Sequence, residues 1–231
     1  MNIIIASNNQ GKIREFKKML EPMGYTVLSQ SEAGINLEVE ETGTTFKENA
    51  TLKAEAIYNI KHTPVLADDS GIEVEFLNME PGIYSARYMG LDSDEARRNC
   101  ILEKMQGVEE SKRNARFVCC ICYIDENGNK QYAEGYWNGR ISEAARGENG
   151  FGYDPIFIPE GYNITSAEMS PEDKNMKSHR ALALKKLKEI LNWNTETFLN
   201  GLLSSQNERY KRWKKCFLQN QGYISLVEYI I

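Results

Sequence analysis

Histidine is what this sequence has least of. Its 231 residues include two histidines, His62 and His179, and five cysteines, Cys100, Cys119, Cys120, Cys122 and Cys216, and both histidines lie far from the cysteines in sequence. Zinc-site spacing is therefore missing. Cys120 and Cys122 fall on one side of an alternating apolar stretch, where a thiol acts as a small hydrophobe. A reducing, cytoplasmic compartment is the expectation. No apolar run approaches the roughly 20 residues of a membrane helix, and the opening MNIIIASNNQGK lacks the basic region of a signal peptide. Basic charge is not in excess: 28 Lys and Arg stand against 33 Asp and Glu, a formal −5. That balance argues against nucleic acid as a partner, but leaves room for a small anion held in one local pocket. Internal repeats and low-complexity segments are also lacking.

What remains reads as an α/β chain with a mixed central sheet flanked by helices. Residues 2–7 (NIIIAS) form a buried strand by composition and end in a polar turn. Ile13, Phe16, Met19 and Leu20 recur at helical spacing until Pro22 and Gly24 close the helix. Residues 25–28 make a second strand, and Thr45-Phe46-Lys47-Glu48 matches a capping box opening another helix. The run 65–67 predicts a short strand stopping at Asp68-Asp69-Ser70-Gly71, with 72–76 resuming as strand. Residues 94–105 read as helix, and 115–124 and 131–137 as a hairpin about a Glu126–Asn129 turn. Ser170-Pro171 starts a short helix, and 178–191 a longer amphipathic one. Residues 1–191 are expected to form one domain and 192–231 a helical C-terminal extension. The extension has three acids and five bases, a net of +2, so the domain alone carries −7. Its cluster at 209–215 is expected to be a solvated helix face.

Three polar clusters follow predicted strands, where open α/β sheets place ligands. Ser7-Asn8-Asn9-Gln10-Gly11-Lys12 sits at a strand-to-helix turn. Free amides and the helix dipole there suit a phosphate, with Lys12 as a point charge, although a plain N-cap has the same appearance. It is not a Walker sequence. Asp68-Asp69-Ser70-Gly71 puts two carboxylates side by side, an arrangement eased by a cation, and Glu40 or Glu41 offers a further oxygen. Oxygen donors favour magnesium or manganese; a simple acidic turn is the alternative. Phe151-Gly152-Tyr153-Asp154, with Lys174, His179 and Arg180 downstream, provides aromatic faces for stacking and polar groups for a base edge, or equally a buried aromatic corner. Taken together, a phosphate cradle, a hard-metal site and a base pocket describe a nucleotide-hydrolysing site.

The segments ASNNQGKIREF, EETGTTFKENATLKA, LADDSGIEV, PGIYSARY, GFGYDPIF and SPEDKNMKSHRALAL occur here in that order. Their order and spacing resemble the inosine/xanthosine triphosphate pyrophosphatase family over residues 1–191. The resemblance implies a nucleotide cleft between two lobes of a homodimeric, Mg²⁺-dependent enzyme. Such an enzyme cleaves ITP, dITP and XTP to the monophosphate and pyrophosphate, keeping these purines out of DNA and RNA. It implies one Mg²⁺ per subunit, replaceable by Mn²⁺, with Asp69 as proton acceptor and metal ligand and Glu40 as second ligand. It further implies Ser7, Asn8, Asn9, Gln10, Gly11 and Lys12 as the triphosphate loop and Ser70 as a substrate contact. Phe151, Gly152, Tyr153 and Asp154 would be the base-binding turn, with Lys174, His179 and Arg180 as further contacts. The family normally stops soon after the helix containing His179, so residues 192–231 are a departure. The rival expectations are a house-cleaning pyrophosphatase for modified pyrimidine nucleotides and a catalytically silent nucleotide-binding regulator.

Overall fold

The computed structural model describes residues 2–191; the expected helical extension over 192–231 lies outside the described residues. The first strand, β1 (Asn2–Ile5), leads into α1 (Gln10–Leu20), which opens where the Asn9 side chain accepts the Lys12 amide at 3.1 Å. Ile13, Phe16 and Leu20 turn one stripe of α1 inward, and Gly24 ends the following turn in the left-handed region. Next come β2 (Thr26–Ser29) and α2 (Phe46–Lys61). Thr45 caps α2 by accepting the Glu48 amide, but the Glu48 carboxylate returns to Thr44, one residue earlier than a capping box requires.

The strand β3 (Val65–Val74) departs from the sequence expectation. Asp68-Asp69-Ser70-Gly71 does not end a strand; it is the middle of a ten-residue one. The reason is pairing, because β5 (Asn114–Ile124) runs antiparallel to β3 in unbroken register from Val65↔Ile124 to Val74↔Ala115. On its other edge β3 meets β1 only at Val65 and Leu66 and the two-residue β4 (Glu80–Pro81) only at Glu73 and Val74. Residues 67–72 thus form an open lip on a rigid strand.

After α3 (Asp94–Lys104), capped by Ser93, the hairpin of β5 and β6 (Lys130–Ile141) runs four residues beyond its expected end. The short β7 (Phe157–Pro159) pairs with β6. Two helices finish the domain: α4 (Pro171–Lys177), with Ser170 at its cap, and α5 (His179–Ile190). Sheet order among the described residues is β2-β1-β3-β5-β6-β7, with β4 beside β3. Pairing is parallel through β2, β1 and β3 and antiparallel onward, giving a mixed sheet between helices.

Helix α2 packs on one face of β3 and β5, burying Ala50, Ala54 and Ile57 with Ala67, Cys122 and Ile124. Helix α5 lies against β6 and β5. Its first turn approaches so closely at Gly135 that a Cβ there would fall 2.1 Å from the His179 carbonyl oxygen. A glycine in β6 therefore sets how deep His179 and Arg180 sit. Cys119, Cys120 and Cys122 are buried and unpaired, as the apolar reading of that strand expects, whereas Cys216 lies outside the described residues.

Candidate active site

Strand alternation decides what the paired aspartates do. Adjacent residues of β3 point to opposite faces, so Asp68 and Asp69 do not share one ion; each has its own cations. Asp68 is 2% exposed, with Lys12 Nζ at 3.1 Å and Arg180 Nε at 3.2 Å. Burial pushes its pKa upward, but Lys12, Arg180 and Lys53 outweigh that and hold it well below the usual carboxylate range. On the other face, Asp69 Oδ1 accepts from Lys53 Nζ at 3.1 Å and Oδ2 from Asn49 Nδ2 at 3.1 Å, both from α2. Burial here prevails, so the Asp69 pKa is raised, with Glu41 adding to the rise. Lys53 also donates to Glu41 at 2.6 Å, and Arg87 reaches the same carboxylate at 2.8 Å.

Arg180 extends the network across the cleft floor. It donates to Asp68, to Ser70 Oγ at 2.7 Å and to Glu15 at 2.9 Å. Glu15 also accepts from Lys174 at 2.9 Å, and Lys174 from there reaches Asp154 at 2.6 Å. The Phe151 ring packs on Gly11, with Lys174 Nζ and the Arg180 guanidinium each 5.2 Å from its centroid. His179 is buried and stacks on Phe117 at 4.7 Å, and its Nδ1 has no partner. Burial, with Arg180 and Lys174 nearby, lowers its pKa well below the ordinary histidine value, so the ring is neutral.

Part of this network lines one cleft of about 290 Å³, while Glu15, Asn49, Lys53, Asp68 and Arg87 stand behind the lining. Of the sequence-predicted residues, Asn9, Lys12, Asp69, Ser70, Phe151, Gly152, Tyr153, Asp154, Lys174, His179 and Arg180 line it. Ser7, Asn8, Gln10 and Gly11 do not. Ser7 accepts the Asn9 amide and shapes the turn from behind, while Asn8 and Gln10 are exposed. Glu40 is exposed and outside the lining, whereas Lys53 and Arg87 draw the neighbouring Glu41 carboxylate inward. Two members of the aromatic turn also hold its shape. Tyr153 is buried, with its hydroxyl donating to the Ser85 carbonyl at 2.8 Å, so it anchors the turn and Phe151 is the aromatic left partly open. The Asp154 carboxylate accepts from the Phe151 amide, Ser166 and Lys174. Sequence reasoning passed over Asn49, Lys53, Glu15, Asp94 and Arg97. The first two lie one helical turn apart in α2, a spacing that marks one face without saying what it meets.

Comparison with known proteins fits this arrangement. The model of the Ham1 family matches residues 3–190. The chain belongs to the Ham1 family. A Bacillus subtilis protein named dITP/XTP pyrophosphatase is 47% identical over 189 residues, covering 81% of this chain and 96% of that protein. Among solved structures, the Staphylococcus aureus Ham1 protein shares 45% identity with a TM-score of 0.73, covering 83% of this chain and 98% of the other. A HAM1 protein from Coxiella burnetii gives 38% and 0.74, covering 84% and 100%. In this member of the Ham1 family the cleft charges balance. Lys12, Lys53, Arg87, Lys174 and Arg180, five bases, stand among Glu15, Glu41, Asp68, Asp69 and Asp154, five acids. No three His, Cys, Asp or Glu side chains among the described residues cluster tightly enough to cage a metal unaided. Oxygen donors are nonetheless in place on either side of Lys53, at Asp69 and Glu41.

Proposed function

We propose that this chain hydrolyses the non-standard purine nucleoside triphosphates ITP, dITP and XTP to the monophosphate and pyrophosphate, clearing them from the cytoplasmic nucleotide pool. The observation that carries this reading is one cleft whose lining brings together Lys12, Asp69, Phe151 and His179. The names of the Ham1 relatives, dITP/XTP pyrophosphatase, support it.

Charge balance supports a divalent ion. Every cation of the cleft is already matched by a carboxylate, so a polyanionic triphosphate needs positive charge from elsewhere. Magnesium ordinarily takes one or two carboxylates and completes its shell with water and substrate phosphate, so the lack of a three-acid cage fits it. We assign Asp69 and Glu41 as its holders, with Glu41 replacing the adjacent Glu40. When bound, Mg²⁺ or Mn²⁺ neutralises phosphate charge and polarises an attacking water.

The chain's own groups do the rest. Asp69 takes a proton from water in line with the α-phosphorus. Burial lowers the Lys12 pKa despite Asp68, and an arriving phosphate anion would favour its charged form. Lys12 and Lys53 then stabilise charge on the departing pyrophosphate. For the base, the purine lies on Phe151 and neutral His179 offers a ring N–H to the 6-oxo group. Adenine would set its amino hydrogens against that donor and leave it unpaired.

The reading includes a homodimer. Phe76, Met79, Tyr84 and Met89, in the stretch between β3 and α3, are large apolar side chains left exposed on the single chain. Sedimentation as a monomer at micromolar concentration would remove that part. The activity itself is tested by supplying ITP, dITP, XTP, dATP and dUTP with and without Mg²⁺, then separating pyrophosphate from orthophosphate. Pyrophosphate from the first three, and only with the ion, is expected. Preference for dUTP, or release of orthophosphate, contradicts the reading.

A further inference from the structure

The tip of the turn that carries Phe151 is gripped by a helix from elsewhere in the chain. The Gly152 amide donates to Asp94 Oδ2 at 2.9 Å, and the Gly152 carbonyl accepts from Arg98 Nη1 at 2.8 Å. Asp94 and Arg98 are four residues apart in α3 and so lie on one helix face, from which they hold both polar groups of a single glycine. Arg97 fixes Asp94 in turn: its Nη2 donates to Asp94 Oδ1 at 2.7 Å and its Nη1 to the Leu91 carbonyl at 2.6 Å.

Side-chain packing does not hold this tip. Gly152 has φ +60°, and nothing lies within 4 Å of where its Cβ would be. The other tethers act on its neighbours: Phe151 donates its amide to Asp154 and packs its ring on Gly11, Tyr153 is tied to Ser85, and Asp154 to Ser166 and Lys174. The backbone of Gly152 itself is held by α3. Asp94 and Arg97 are themselves in the cleft lining, close enough for any shift of α3 to reach the site.

We propose that Asp94 and Arg98 are positioning residues that set the place of the 151–154 turn, and so of the Phe151 ring, for purine binding. The clamp itself needs no nucleotide; its kinetic consequence rests on the function proposed above. A charge-assisted pair of hydrogen bonds on a rigid turn acts in both ground and transition states. Its loss therefore raises KM and spares kcat.

The test uses the full chain with Asp94→Ala, Asp94→Asn, Arg98→Ala and, as a control in the same helical turn, Glu95→Ala. Hydrogen exchange of the free protein over residues 150–155 is expected to speed up in Asp94→Ala and Arg98→Ala. KM for ITP is expected to rise about tenfold in both, with kcat within about twofold of wild type. Asp94→Asn should restore both readouts in part, because its carboxamide oxygen accepts the same Gly152 amide while its NH2 group meets the Arg97 guanidinium where a carboxylate oxygen stood. Glu95→Ala, which removes a first-turn acid that does not touch Gly152, should change neither. Unaltered exchange and KM in Asp94→Ala overturn the proposal, as does an Asp94→Asn protein no better than the alanine variant. A fall in kcat at constant KM overturns it as well. Wild-type protein that turns over no purine triphosphate removes the function and the kinetic half of the proposal together, while the exchange result still decides the clamp.

Discussion

Asp69→Asn is expected to lower kcat for ITP by about a thousandfold, within the range for loss of a positioned general base. The substitution removes the proton acceptor and one charged oxygen donor at a single stroke, and changes little else. Asn49 can still hydrogen-bond to the carboxamide, and Lys53 keeps Glu41 at 2.6 Å, so no buried ammonium is stranded. The stability cost should be about 1 kcal/mol, the net worth of a typical buried hydrogen bond. Steady-state turnover beside a thermal melt separates the two effects. Near wild-type turnover in a folded variant would take Asp69 out of the chemistry.

Arg180→Leu is expected to be the most destabilising single change in the cleft. Its side chain is 4% exposed and joins Asp68, Glu15 and Ser70, which come from two separate elements. Leucine fills part of the space but leaves Asp68, already carrying an Oδ1 with no partner, with Lys12 as its near cation. Removing one partner from a buried ion network costs about 3–5 kcal/mol, mostly because the remaining charge is uncompensated. For a domain of this size that is a fall in Tm of roughly 6–20 °C. Arg180→Lys should recover only part of it, because an ammonium cannot span three partners as a planar guanidinium does. A melt of Arg180→Leu within about two degrees of wild type would show that the network is not held together in this way.

How much of this could be read in advance depended on whether the signal was local. The cap of α1 at Asn9, the Ser170-Pro171 start of α4 and the β5–β6 hairpin depend on neighbouring residues, and they appear where the sequence places them. The convergence of the three polar clusters was legible from their residue types, although Asp68-Asp69-Ser70-Gly71 lies within β3 and not after it. The continuity of β3 was not, since Asp-Asp-Ser-Gly has turn propensity and only long-range pairing with β5 overrides it. Glu40 and Glu41 could not be told apart either: in an irregular loop no period says which carboxylate turns inward. Lys53, Asn49, Glu15, Asp94 and Arg98 were hidden for a related reason. Each is an unremarkable polar residue on a helix, and its meaning comes from a partner 16 to 165 positions away.

Where the oxygen of water ends up tests the central claim most directly. With ITP and Mg²⁺ in ¹⁸O-labelled water, attack at the α-phosphorus puts the label in the monophosphate and leaves the pyrophosphate unlabelled. The proposed role of Asp69 as base for water at the α-phosphorus predicts that outcome, and predicts that Asp69→Asn loses it. Label in the pyrophosphate, or orthophosphate as the product, would mean that water attacks a different phosphorus and that the cleft works in some other way.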